Sequence, residues 1–253
     1  KQPAQKVNAV YDMRNRWSSG ELLLQRLPEF LSLPVPGRPE KPELVDPKNV
    51  PKRNFINPQG RLSLVHAITH IEFNAINLAL DAVYRFQDMP QQYYTDWIRV
   101  AAEEADHFTM LSDYLTKHGV SYGDMPAHNV LWEMAVKTDQ DVLIRMALVP
   151  RVLEARGLDV TPTMIEKLQP TGDTQLINAL KKIFDEEIGH VKIGTHWYKE
   201  LCEERGVEPE QTFLVLIDKY MSGAKFGPFE TEARLEAGFT AEEMQRLLNL
   251  YTP

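Results

Sequence analysis

Six side chains of this 253-residue sequence have the types and the spacing of a metal site. Glu187 and His190 stand three residues apart in Phe184-Asp185-Glu186-Glu187-Ile188-Gly189-His190. On an α-helix that spacing separates two side chains by about 60° around the axis and about one turn along it. A carboxylate oxygen and an imidazole nitrogen so placed can bind one cation. The motif recurs as Glu104-Ala105-Asp106-His107, and each copy follows a helical pattern with a lone glutamate on its apolar stripe. Glu72 precedes Glu104 by 32 residues and Glu154 precedes Glu187 by 33. One Glu from each of two helices, with one Glu-x-x-His from each of two others, is the ligand pattern of a dinuclear site in a four-helix bundle.

The alternative is a metal-free helical interaction module that buries four carboxylates on facing helices. Arg151 is the only cationic side chain near those stripes, and each buried, unpaired carboxylate costs several kcal/mol or is forced to take up a proton. Two divalent cations would cancel the four charges. A carboxylate-rich set with two histidines suits iron or manganese, whereas structural zinc prefers thiolates. Two iron ions are the first expectation, with manganese or a mixed Mn/Fe pair as the alternatives. The remaining histidines fail the geometry. His66 and His70 lie about 120° and 160° around the helix from Glu72. His196 is opposite Glu187, His118 is about 16 Å along the axis from His107, and His128 falls between helices. These read as surface, supporting or packing residues.

The elements that must position the six are legible from periodicity. Residues 5–27 predict a helix with Val10, Met13, Trp17 and Leu24 on one face. Pro28 to Pro58 hold eight of the 17 prolines and predict an extended strap that buries Leu31, Leu33, Leu44 and Phe55. The first bundle helix runs from about Arg61 to Gln87, with Val65, Ile68, Glu72, Ile76, Ala79 and Val83 as its stripe. The second covers about Gln91 to His118, with Glu104 mid-stripe and Gly119 as C-cap. A crossover at 120–137, with a short helix at 129–137, leads to a third helix, about Asp139 to Arg156. There Pro150 predicts a kink or bulge one turn before Glu154, and Gly157 a C-cap. Thr161-Pro162 predicts the start of a further short helix. The fourth bundle helix covers about Asp173 to Cys202. A helix at 209–221, an irregular segment at 223–238 and a last helix capped by Thr240-Ala241-Glu242-Glu243 follow. The fold class is therefore all-α: a four-helix bundle at 61–203 with one long crossover, an N-terminal helix and strap at 1–60 and a C-terminal extension at 204–253, as one compact domain.

Composition bounds the function. Net charge is −8 with a pI near 5.4, which gives no support to tRNA or another nucleic acid as partner. Cys202 is the one cysteine, so no intrachain disulfide forms and a cytoplasmic setting is expected. No apolar run reaches the roughly 18 residues of a membrane span, and no signal peptide is visible.

The six ligand positions resemble the ferritin-like di-iron carboxylate superfamily. More closely, three stretches resemble the bacterial family called domain of unknown function 455: His66-Ala67-Ile68-Thr69-His70-Ile71-Glu72, Glu103-Glu104-Ala105-Asp106-His107-Phe108 and Pro150-Arg151-Val152-Leu153-Glu154-Ala155-Arg156-Gly157-Leu158-Asp159-Val160. Tyr122-Gly123-Asp124-Met125-Pro126-Ala127-His128 and Asp185-Glu186-Glu187-Ile188-Gly189-His190-Val191 extend the similarity over most of 55–245. The resemblance implies a ferritin-like bundle and six metal ligands but no substrate. A tRNA hydroxylase acting on a prenylated adenosine is similar in ligand layout. The ribonucleotide reductase radical subunit carries a tyrosine four residues after its first His ligand, where this chain has Leu111; rubrerythrins usually add a rubredoxin domain whose iron takes four cysteines, and this chain has Cys202 alone. The expectation is a non-haem di-iron oxidoreductase or oxygenase that takes O2 and an unidentified small organic substrate. An electron-donor protein and a homodimer are compatible with it. The alternative is a ferritin-like iron-binding ferroxidase without an organic substrate. The extra segments favour the enzyme, with 223–238, including Lys225-Phe226-Gly227-Pro228-Phe229, as a lid.

Overall fold

A computed structural model describes residues 2–26, 33–224 and 226–251. Its described elements are helical, apart from an isolated bridge between Leu44 and Ala127. The chain divides into two compact units, Lys1–Asp139 with Lys167–Ala179, and Gln140–Glu166 with Leu180–Pro253.

The first unit is built on α2 (Pro58–Arg85) and α3 (Gln91–Lys117), packed along each other. Asn57 starts α2 by accepting from the N–H groups of Gln59 and Gly60, with Pro58 in the first turn, where its missing N–H costs nothing. Small buried residues, Ala75, Ala79 and Ala82 on α2 and Ala101, Ala102 and Ala105 on α3, allow the two backbones to approach closely. Helix α1 (Pro3–Ser18) lies on α3, and α4 (Val130–Lys137) lies on α2. The helix expected to reach residue 27 stops at Ser18. Gly20 takes φ 76°, its N–H bonds to Trp17 O at 3.1 Å, and the chain leaves extended with Leu23 and Leu24 exposed. Residue 27 and the strap residues 28–32, Leu31 among them, lie outside the described residues.

From residue 33 onward the proline-rich segment is fastened as a strap, by backbone polar groups more than by the leucines expected to anchor it. Trp132 Nε1 donates to Leu33 O and Pro34 O, both at 3.2 Å. Val45 N–H donates to Ala127 O at 2.8 Å, and Ala127 N–H to Glu43 O at 2.9 Å. Leu33 is exposed, while Leu44 and Phe55 are half-buried.

The second unit begins at α5 (Val142–Leu148), capped by Asp141, whose carboxylate accepts from Leu143 N–H at 2.8 Å. The distortion expected at Pro150 is a π-helical turn over Val149–Glu154. Proline offers no N–H to the preceding turn, and one widened turn accommodates the loss. The helix end expected at Gly157 is absent. Helix α6 (Ala155–Leu168) runs on through Thr161 and carries Pro162 inside it. Ala155, Leu158 and Thr161 are buried, and Asp159 is gripped by Arg234 through Nε and Nη2, both at 2.8 Å. Burial and that ion pair hold the helical path at the cost of the one hydrogen bond Pro162 cannot make.

Helix α7 (Thr174–Arg205) starts in the first unit and continues in the second. On it Gly194 meets the π turn directly: a Cβ there would lie 2.3 Å from Cβ and Cγ of Pro150. Gly194→Ala is therefore expected to cost about 1–3 kcal/mol, read as a lower denaturant midpoint at unchanged slope. A wild-type midpoint would show that the π turn yields to the methyl group.

Helix α8 (Pro209–Met221) packs on α5. The segment 223–238, expected to be irregular, contains a short helix, α9 (Thr231–Glu236). It is tied to α6: Arg156 donates to Pro228 O at 3.2 Å and Glu230 N–H to Asp159 at 3.0 Å. Lys225 lies outside the described residues. The capping box of α10 (Ala241–Tyr251) forms as expected, with Thr240 N–H on the Glu243 carboxylate at 2.9 Å and Glu243 N–H on Thr240 Oγ1 at 3.0 Å.

Candidate metal centre

Within the first unit, α2 and α3 bring Glu72, Glu104 and His107 together. Glu104 and His107 are wholly buried and Glu72 is 3% exposed. His107 Nδ1 lies 3.3 Å from Glu104 Oε2 and 3.4 Å from Glu72 Oε2. One ligand atom from each of the three lies within 4.8 Å of the other two, and this set could hold a metal ion. Burial, and then the Glu104 charge beside it, holds the Glu72 carboxyl well above the usual carboxylate range. A cation between the two acids removes both penalties, so the donor set fits a hard, carboxylate-preferring metal.

The same two helices bury apolar residues above and below the three. Val65, Ile76, Ala101, Ala105 and Leu111 have at most a trace of exposure. Phe73 and Phe108, next in sequence to Glu72 and His107, meet at a tilt with centroids 5.2 Å apart, and Tyr122 sits against both at 5.5 and 5.1 Å. His66 and His70 are buried and bind the crossover. His66 Nε2 accepts from Gly123 N–H at 2.9 Å. His70 Nδ1 lies 2.9 Å from the Tyr122 hydroxyl, and its Nε2 lies 2.9 Å from Asn74 Nδ2 and 3.2 Å from His128 O. Burial pushes the His70 imidazole down to about 4, so it is neutral at physiological pH. His118 and His196 are exposed.

Within the second unit, Glu187 and His190 occupy one face of α7. Both are buried, and His190 Nδ1 lies 3.7 Å from Glu187 Oε2. Glu154 closes the π turn and is half-buried. The described positions thus reproduce, in each unit, the local geometry that the Glu-x-x-His spacing requires.

The whole of this frame falls within one family. Residues 1–245 match the family described as "Protein of unknown function (DUF455)". The chain belongs to it. An uncharacterized protein of Haemophilus influenzae is similar to this DUF455 member, being 46% identical over 247 residues that cover 94% of this chain and 85% of the relative. No solved structure matches the chain. No helix among the described residues is long and apolar enough to cross a membrane.

One buried group of this DUF455 chain was not legible as functional in the sequence. Arg151 is engaged within the second unit. Its Nη2 bonds Glu243 Oε1 at 2.6 Å, and its guanidinium lies 4.1, 4.5 and 4.6 Å from the ring centroids of Phe213, Phe239 and Tyr198. The partners come from α7, α8, α10 and the turn before α10, and no local spacing could have announced them.

Proposed function

We propose that this chain is a non-haem di-iron oxidoreductase. In this reading Glu72, Glu104, His107, Glu154, Glu187 and His190 hold two iron ions within a ferritin-like arrangement of α2, α3, the α5–π–α6 segment and α7. The observation that carries it is the buried Glu72, Glu104 and His107 cluster. Its residue pattern is repeated as Glu154, Glu187 and His190. Buried acids of like charge are costly, and a metal pair would neutralise them.

When bound, the iron pair supplies a redox couple that activates O2 toward an organic substrate. The remaining work belongs to the protein. Glu72 and Glu104 bring the negative charge that balances the cations, with His107 Nδ1 turned toward both carboxylates. Glu187 and His190 repeat this on α7. The burial of the first three ligands keeps water from the reacting atoms. The π turn sets the path of the backbone into Glu154, and such turns recur at functional sites.

The test is oxygen uptake by iron-loaded protein, with and without each of a panel of small organic substrates. Uptake that depends on one substrate, and that Glu104→Ala abolishes, is the expected result. Fe(II) oxidation with no substrate dependence would replace this reading with a ferroxidase.

A further inference from the structure

The π turn ends at a proposed ligand, Glu154, and its two sides are held by different means. On one side Pro150 presses on the bare backbone of Gly194, in the next turn of α7 after His190. On the other, Arg151 enters a cage built by the C-terminal helices. Its charged partner there among the described residues, Glu243, is held in turn by the α10 capping box, and Thr240 Oγ1 also donates to Glu210 at 2.9 Å. Phe239 serves two cations, with Arg151 at 4.5 Å and Arg234 at 5.1 Å from its centroid. Gly238 precedes it with a φ of 90°, which favours glycine; a Cβ there would stand a tight 3.2 Å from Thr195 Cγ2, and its carbonyl accepts from Lys199 at 2.6 Å.

A π turn is the least regular part of a helix, so contacts outside it fix its backbone. A wholly buried guanidinium is costly unless paired. A cage assembled from α7, α8 and α10 around a single residue of that turn is therefore placed to control it.

We propose that Arg151 is the positioning residue for Glu154: the Arg151–Glu243 pair latches the π turn to α10. The C-terminal helices thereby set where the Glu154 carboxylate stands and complete the second half of the metal site. The inference rests on the di-metal reading only for what Glu154 does; the latch itself is a property of the metal-free protein.

The experiment compares Arg151→Met, which keeps bulk but loses the charge, with Arg151→Lys, which keeps the charge, in the full chain. Hydrogen exchange of the metal-free proteins is followed over residues 149–155, and Co(II) titration follows stoichiometry and the visible ligand-field spectrum. Arg151→Met is expected to speed exchange in the π turn by about tenfold or more while leaving α2 and α3 unchanged. It is also expected to lose one Co(II) equivalent or change the spectrum, and Arg151→Lys is expected to restore part of both. If Arg151→Met does not fold, Glu243→Gln loosens the same pair and is read in the same way. Unchanged exchange overturns the latch. Faster exchange with wild-type stoichiometry and spectrum overturns the positioning role. Wild-type protein that takes up no Co(II) overturns the di-metal reading, while the exchange data still decide the latch.

Discussion

Removing metal from protein purified with iron is expected to lower its melting temperature, and Glu104→Ala is expected to remove at least one of about two ions per chain. The size follows from linkage: a ligand present at 1,000 times its dissociation constant stabilises the folded state by about 4 kcal/mol. For a chain of this length that corresponds to a shift on the order of 10 °C. The direction follows from the site, where Glu72 and Glu104 are buried against each other and burial raises the Glu72 carboxyl well above its usual range. In the metal-free protein the folded state therefore holds a proton on Glu72 at pH values where the unfolded chain has lost it. That contribution is fully present below the unfolded carboxylate range and is lost as pH rises through the folded value. The metal-free protein should gain stability as pH falls toward that range, and Glu72→Gln should flatten the gain. Scanning calorimetry at several pH values, with elemental analysis, checks all three. A chelated protein that melts like the loaded one, together with full metal in Glu104→Ala, would count decisively against the site.

Arg234→Met is expected to destabilise the protein by about 3–5 kcal/mol, the range for breaking a buried ion pair by removing one partner. Arg234 and Asp159 are 3% and 7% exposed and meet in a two-pronged pair at 2.8 Å. The substitution would leave the carboxylate with only Glu230 N–H and the exposed edge of Arg156, 3.6 Å away. Replacing both partners by apolar residues, Arg234→Met with Asp159→Leu, should recover much of the loss, because the cost lies in the uncompensated charge. Denaturant titration of both variants decides the matter. A single variant within about 0.5 kcal/mol of wild type would mean that Asp159 finds water or another cation.

Much of the frame was legible before any coordinates. The periods that place Glu72 and Glu104 in mid-stripe also place α2 and α3, whose observed bounds differ from the expected ones by at most three residues. The distortion at Pro150 and the capping box at Thr240 were equally readable, because a missing donor and a side-chain acceptor act within one turn. The N-terminal helix was read too long, since apolar spacing continues past Ser18 while the chain turns at Gly20.

What the sequence determined by itself is therefore local: which stretches are helical, and which acids and histidines share a helical face. The spacing of Glu104 and His107, and of Glu187 and His190, rests on backbone geometry alone. The tertiary structure decided the rest. It carried α6 through Gly157 and Thr161-Pro162, because burial of Ala155, Leu158 and Thr161 and the Asp159–Arg234 pair outweigh one absent hydrogen bond. It pinned the proline segment by backbone bonds to Ala127 and Trp132. It also drew Arg151 into a cage of Tyr198, Phe213, Phe239 and Glu243. Each of these joins residues that are distant in the chain, and burial and charge pairing across such distances leave no periodic trace in the residues that take part.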